Sequence, residues 1–351
     1  MPTKVGVSAD FPREKLDRRI SVAPMMDWTD RHCRYFLRGF STDALLYTEM
    51  ITSAAILRGK CERLLAYDTS EHPLALQLGG SEPADLAAAA RIGSDYGYDE
   101  INLNCGCPSD RVHSGAFGAC LMLEPARVAD CVAAMCGAVK LPVTVKLRIG
   151  VVTGQGAAAR EAVSRYTERD AEALMTFVSA VRTAGAAAVI VHARKAVLGG
   201  LSPKQNREVP PLNYAMVRAV KQHNPELPVI LNGGLRETSA VLEALTWCDG
   251  VMLGREAYHR PWLLFELHRA LHPELGSPRL ERAALLERMA EYAARQLAHG
   301  ERLPSITRHM LGLYAGEPGA REYRRLLSEG SRAPGAGPEL LQRAAAAVAA
   351  V

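Results

Sequence analysis

Residues 74–104 read LALQLGGSEPADLAAAARIGSDYGYDEINLN. A short apolar run, Leu74 to Leu78, passes into an Ala-rich amphipathic segment, Pro83 to Tyr96, and then into a second short run, Glu100 to Asn104. Strand, helix, strand is the repeating unit of parallel α/β proteins, since two parallel strands need a crossover long enough to hold a helix. The alternation continues on both sides. Similar runs occur at Ile20 to Ala23, Ala44 to Tyr47, Val143 to Ile149, Ala187 to His192, Val229 to Asn232 and Gly250 to Leu253, with helical segments at Pro125 to Cys136, Glu168 to Ala184 and Arg236 to Leu245. Eight strands, each followed by a helix, predict a closed (β/α)8 TIM barrel of α/β class, because a doubly wound open sheet usually stops at about five or six.

After Pro261 the strand pattern ends and short charged helices follow, broken at Pro273, Gly276 to Pro278, Pro304, Gly316 to Gly319 and Gly330 to Gly337. This pattern predicts a small C-terminal helical bundle. The expected organisation is an N-terminal segment over 1–19, a barrel over 20–265 and a helical domain over 266–351. Between Gly150 and Arg160 the sequence reads as a flexible loop after strand five. Its G-x-G-x-x-A glycines begin well past the strand, and no strand with a terminal carboxylate follows, which weighs against a dinucleotide site.

With 351 residues, 48% of them hydrophobic and 23% charged, the chain can bury a large core and needs no staples. No run approaches a membrane span, and the first 19 residues carry charges and Pro2 and Pro12 in place of an apolar signal segment. A cytoplasmic location is expected. The eight cysteines lack paired C-x-x-C spacing and read as reduced thiols, with no metal site. A formal charge of +4 is too small to diagnose a nucleic-acid partner by itself.

Barrel chemistry sits at the carboxyl ends of the strands, so those positions carry the functional reading. They hold Pro24, Met25 and Met26 after strand one, Gln77 in strand three, Asn104 and then Cys107 after strand four, and Lys146 in strand five. His192 and Arg194 end strand six, Asn232, Gly233 and Gly234 end strand seven, and Gly254 and Arg255 end strand eight. Glycines after strands seven and eight suit phosphate, because bare backbone N–H groups approach an anion closely. Gln77 and Lys146 suit the polar edge of a flavin ring, which becomes anionic on reduction. Lys146 equally suits a Schiff base with a carbonyl substrate. A thiol near its reference pKa of about 8.5 is mostly protonated at neutrality and can act as a general acid. Cys105 and Cys107 compete for that role, and spacing does not choose between them.

The segments APMMDWTDRHCRYF, LQLGGSEP, INLNCGCPSDRV, SGAFGACLM, VKLRIG, VHARKA, GLSPKQNREVPPLNY, NGGL and MLGREAYHRPW, with TRHMLGLYAGEPGAREYRRLLS beyond the barrel, follow one another from about Arg18 to Ser328. In that order they resemble the tRNA-dihydrouridine synthases, most closely the A subfamily. The resemblance implies an FMN-bound barrel, NADPH as reductant, and reduction of C5=C6 in a flipped-out D-loop uridine near position 20 of tRNA. It implies Cys107, the cysteine before proline, as proton donor. FMN would lie on Pro24, Met25, Met26, Gln77, Lys146, His192, Asn232, Gly233, Gly234, Gly254 and Arg255, with Asn104 orienting the uracil. Cys105 stands where the family usually has an aliphatic residue, which raises the question of a disulfide or a reactive thiol there.

Extruding a stacked base costs a few kcal/mol, to be offset by phosphate contacts. Candidate cations are Arg194, Lys195, Lys204 and Arg207 after strand six, and Arg308, Arg321, Arg324 and Arg325 near the C-terminus. Arg321 and Arg324 share one face if their segment is helical. A monomer is the favoured state. The competing readings are a flavin barrel acting on a free pyrimidine, a Lys146 lyase and a non-catalytic RNA-binding scaffold.

Overall fold

The computed structural model describes residues 16–108, 117–154, 156–275 and 280–349. Most of the N-terminal segment, the Ser109-Asp110-Arg111 part of the cysteine motif, Ser114 to Ala116, and the break at Gly276 to Pro278 lie outside the described residues.

Among the described residues, eight strands form one ring: β1 Ile20–Val22, β2 Leu45–Tyr47, β3 Leu74–Gly79, β4 Glu100–Cys105, β5 Val143–Arg148, β6 Ala188–His192, β7 Val229–Asn232 and β8 Gly250–Leu253. All neighbours are parallel, in the order β2-β1-β8-β7-β6-β5-β4-β3, and a β2–β3 pairing closes the ring. The predicted TIM barrel is the observed fold.

Side chains alternate along each strand, so every strand serves two layers. Leu76, Ile101, Leu103, Val145, Leu147, Val189 and Val191 point outward and pack in the main core with Leu86, Val128, Phe177 and Val217 of the helices outside. Leu45, Tyr47, Ala75, Ala188, Ile190, Ile230 and Met252 form a separate cluster inside the ring. The strands are therefore buried on both faces, which is why they read as near-continuous apolar runs.

Helices Arg282–Ala298, Leu303–Thr307, Ala320–Glu329 and Glu339–Ala349 make the C-terminal part. Helix Trp262–Leu271 spans the boundary expected at 265/266. Leu285, Met289, Tyr292, Ile306 and Leu327 belong to the same apolar core as Phe36 and Phe40 beside the barrel. Tyr35 and Tyr292 stack at 3.9 Å, and Asp30 accepts from Arg308 at 2.8 Å across the same seam. The two parts share one core and a polar clasp.

The segment expected to be a flexible loop, Gly150 to Arg160, is mostly secondary structure among its described residues. Val151–Thr153 pairs in parallel with Ala196–Leu198, and helix Gly156–Ser164 follows. Val152, Ala159, Val163 and Val197 form a small core of their own. The strand partner lies more than forty residues on, so no local pattern announces it.

Lys195 was expected to meet RNA and does not face solvent. It is 2% exposed, donates to the carbonyls of Ala162 and Arg165 at 3.0 and 2.8 Å, and pairs with Asp170 at 2.9 Å. Its ammonium caps the carboxyl end of that unforeseen helix, where backbone carbonyls lack partners.

Candidate active site

The end of β4 separates the two competing cysteines, since Cys105 is its last residue and Cys107 lies beyond it. Cys105 is fully buried in the layer between barrel and helices, where burial pushes its thiol well above the ordinary range. It is a free thiol, so the disulfide question is answered in the negative. Cys107 lies two residues past the strand, half-buried at the barrel mouth. Its backbone N–H donates to Asn104 Oδ1 at 3.0 Å, as does that of Gly106, and its carbonyl accepts from Ala119 N at 2.9 Å.

Asn104 is held in turn. Its Nδ2 donates to Gln77 Oε1 at 2.8 Å, and Gln77 Nε2 donates inward to Asn102 at 2.7 Å. On the adjacent strand, Lys146 is the register partner of Asn104, and its Nζ reaches across to donate to Asn232 Oδ1 at 3.1 Å, while Asn232 Nδ2 donates to the Met252 carbonyl at 2.8 Å. Burial, followed by the neighbouring Arg148 charge, lowers the Lys146 pKa to about 7. An ammonium so placed lacks a compensating carboxylate among the described residues, and an anion bound beside it would restore its charged form.

Arg148 went unremarked in the sequence. It sits two residues after Lys146 on the same strand face and is 5% exposed. Its guanidinium donates to the carbonyls of Gly106 at 2.9 Å and of Lys195 and Asn206 at 3.0 Å each. It thereby ties the loop that carries Cys107 to the loop after β6. The Lys-x-Arg spacing was the signal available for it, since two residues apart on a strand share one face.

His192 has a buried Nδ1 without a hydrogen-bond partner in the structure. Burial first, then Arg148, Lys146, Arg194 and Arg207, hold it well below the usual histidine range. Gly233 and Gly234 turn beside it with φ of 109° and 80°. A Cβ at Gly234 would sit 2.4 Å from Leu212 Cδ1 and 2.8 Å from the Tyr214 hydroxyl, so only glycine makes this turn. At Gly254 a Cβ would meet nothing nearer than 4.0 Å, so the backbone there is open to an approaching group. An orphaned imidazole nitrogen, converging cations and bare backbone together fit a phosphorylated cofactor.

Other expected residues are more scattered. Pro24 and Met25 are half-buried at the rim and Met26 is 57% exposed. Arg255 is paired with Glu208 at 2.7 Å, so its charge is already matched from the loop after β6. Arg194 donates to the Pro210 carbonyl, while Lys204 and Arg207 are exposed beside it. Arg321 and Arg324 lie exposed on helix Ala320–Glu329, as their spacing required, whereas neighbouring Arg325 is paired with Glu322 at 2.6 Å. Arg308 serves the clasp to Asp30 at 2.8 Å.

The comparisons with known proteins agree with this arrangement. The family described as dihydrouridine synthase (Dus) matches residues 21–349. A tRNA-dihydrouridine(20/20a) synthase of Xanthomonas campestris pv. campestris is 55% identical over 326 residues, covering 93% of this chain and 92% of that protein. Proteins of the same name from Pseudomonas aeruginosa and Vibrio vulnificus are 53% and 50% identical, over 89% and 94% of this chain and 90% and 97% of theirs. With barrel, strand-end residues and helical C-terminal part all inside the matched span, the chain belongs to the dihydrouridine synthase family, oxidoreductases in their chemistry.

Proposed function

We propose that this enzyme reduces the C5=C6 bond of a D-loop uridine at position 20 or 20a of tRNA, with FMN as cofactor, NADPH as reductant and Cys107 as proton donor. The observation that carries the reading is the buried His192 Nδ1, without a partner among the described residues, beside Lys146 and Arg148, whose hydrogen bonds among those residues go to no carboxylate, two strands from the one that leads to Cys107. The relatives' shared name supports the substrate position. Residues 20–265 would be the catalytic barrel, and residues 266–351 would hold the RNA.

In this reading Gln77, Lys146 and Asn232 hold the polar edge of the flavin, and His192, Gly233, Gly234, Gly254 and Arg255 hold its phosphate side. Pro24, Met25 and Met26 cover one face of the ring. When bound, FMN supplies a hydride, taken from NADPH, to C6 of the uracil. Asn104 has one side-chain N–H left after Gln77 takes the other, and it turns that donor to the uracil edge. The Cys107 thiol delivers its proton to C5 and is left as a thiolate. Arg148 and Lys146 lie close enough to stabilise that charge, and solvent then reprotonates the sulfur. Arg194, Lys204, Arg207, Arg321 and Arg324 bind phosphates and offset the cost of extruding the base.

The test is direct. Purified protein should be yellow, or take up FMN, and should form dihydrouridine at 20 or 20a in tRNA from cells that lack this gene. A protein that cannot take FMN sinks the proposal. Equal reduction of free uridine monophosphate would favour a free-pyrimidine enzyme, and borohydride trapping on Lys146 would favour a lyase. In a cytoplasmic, monomeric enzyme the reaction should need no further subunit.

A further inference from the structure

Below the mouth, the barrel interior holds a single file of hydrogen bonds. Gly106 and Cys107 N–H donate to Asn104 Oδ1, Asn104 Nδ2 to Gln77 Oε1, Gln77 Nε2 to Asn102 Oδ1, and Asn102 Nδ2 to Thr144 Oγ1. Thr144 Oγ1 then donates to Glu100 Oε1 at 2.6 Å. At the floor, Tyr47 also donates to Glu100 Oε1, and Arg18 donates twice to Oε2, at 2.9 and 2.6 Å. Glu100, Asn102 and Thr144 are fully buried, and Gln77 is 1% exposed.

The two ends of this file have fixed polarity. Backbone N–H groups can only donate, and a carboxylate can only accept. Between such termini each amide has one consistent orientation, and every donor points toward the floor. We infer that Glu100 is a long-range positioning residue, which sets the orientation of the Gln77 amide and of the Asn104 amide about 13 Å along the strand, and so holds the Cys107 loop beyond it. The effect travels as hydrogen-bond polarity, without movement of the strands. It rests on the reading of Gln77, Asn104 and Cys107 as site residues. Glu100 touches no reacting atom.

Hydrogen exchange at individual amides tests this without using activity. In Glu100→Gln the terminal amide can donate as well as accept, so the amides above it are free to flip. Protection of the Gly106 and Cys107 amides should fall about tenfold, the size of one ordinary hydrogen bond, with Leu103 unchanged. Thr144→Val cuts the same file without touching the ion pair and should give the same loss, should the Glu100 variant fold poorly. The double variant Glu100→Gln/Asn102→Asp moves the acceptor-only group two links up the file, past Thr144, and should restore protection at Gly106 and Cys107. Two accumulated core defects could not produce that rescue. Loss confined to floor amides such as Ser21 and Leu45, a uniform loss through the barrel, or no rescue in the double variant would overturn the inference. The functional reading fails separately, if Cys107→Ala forms dihydrouridine at the parent rate.

Discussion

The two ends of this barrel treat charge in opposite ways. At the floor, Arg18 meets Glu100 at 2.6 Å, and Asp43 meets both His268 and His272 at 2.7 Å. At the mouth, Lys146 and Arg148 bond only to neutral amide and carbonyl oxygens among the described residues. Matched charges contribute to holding a fold together, whereas buried unmatched ones cost stability until a partner arrives. The contrast locates stability at one end and ligand chemistry at the other, without reference to any bound molecule.

The largest effect expected from breaking this contrast is on activity. Cys107→Ala should lower the rate of dihydrouridine formation at least about 100-fold while tRNA binding persists. Cys105→Ala, one strand face away, should keep the parent rate and lose only about 1 kcal/mol in urea unfolding. Equal rates for the two variants would undo the assignment of the proton donor to the loop beyond β4 rather than to its outward face.

Stability comes next. Arg18→Met leaves Glu100 buried beside no cation and should cost about 3 kcal/mol of unfolding free energy. At the other end the sign reverses. Lys146→Met removes a desolvated, uncompensated ammonium and should raise stability by up to about 1 kcal/mol, while weakening FMN binding about tenfold or more. Calorimetry and flavin titration read both outcomes, and a destabilised Lys146→Met protein would contradict the contrast. Since Lys146 titrates near 7, FMN affinity of the parent protein should also decline as pH rises through that value.

The smallest effect is at the floor's histidines. The hydrogen bond that His272 donates to the Asp43 carboxylate raises the His272 pKa above its usual value. Its stabilisation is therefore fully present below about 6.5 and is lost as pH rises through the higher folded value. Asp43 is shifted in the other direction. Although burial works against it, bonds from Ser41, His272 and His268 hold its pKa down at about 2, so its contribution is lost only as pH falls toward that value. Unfolding free energy should decline slightly above pH 6.5, by less than about 1 kcal/mol after solvent screening, with a small fall in melting temperature, and Asp43→Asn should flatten the decline.

The strand-end residues were readable because alternate side chains near the carboxyl end of a barrel strand face the mouth whatever their neighbours do. Gln77, Lys146, His192 and Asn232 are such cases. Arg148 escaped notice because its three carbonyl partners come from loops 42 to 58 residues away. Lys195 misled for the same reason. It stands in a motif rich in cations, and only the docking of Gly156–Ser164 against Ala196–Leu198 buries it.

Local sequence alone determined the eight-fold alternation of strand and helix, the helical C-terminal part and the residue types at the mouth, since periodicity and turn chemistry act over a few residues. The tertiary structure decided which cysteine faces the mouth, which cations stay unmatched and how Glu100 connects to Cys107. Those depend on strand register and ring closure, which bring together groups far apart in sequence, 86 residues for Lys146 and Asn232 and 230 for Ser21 and Val251.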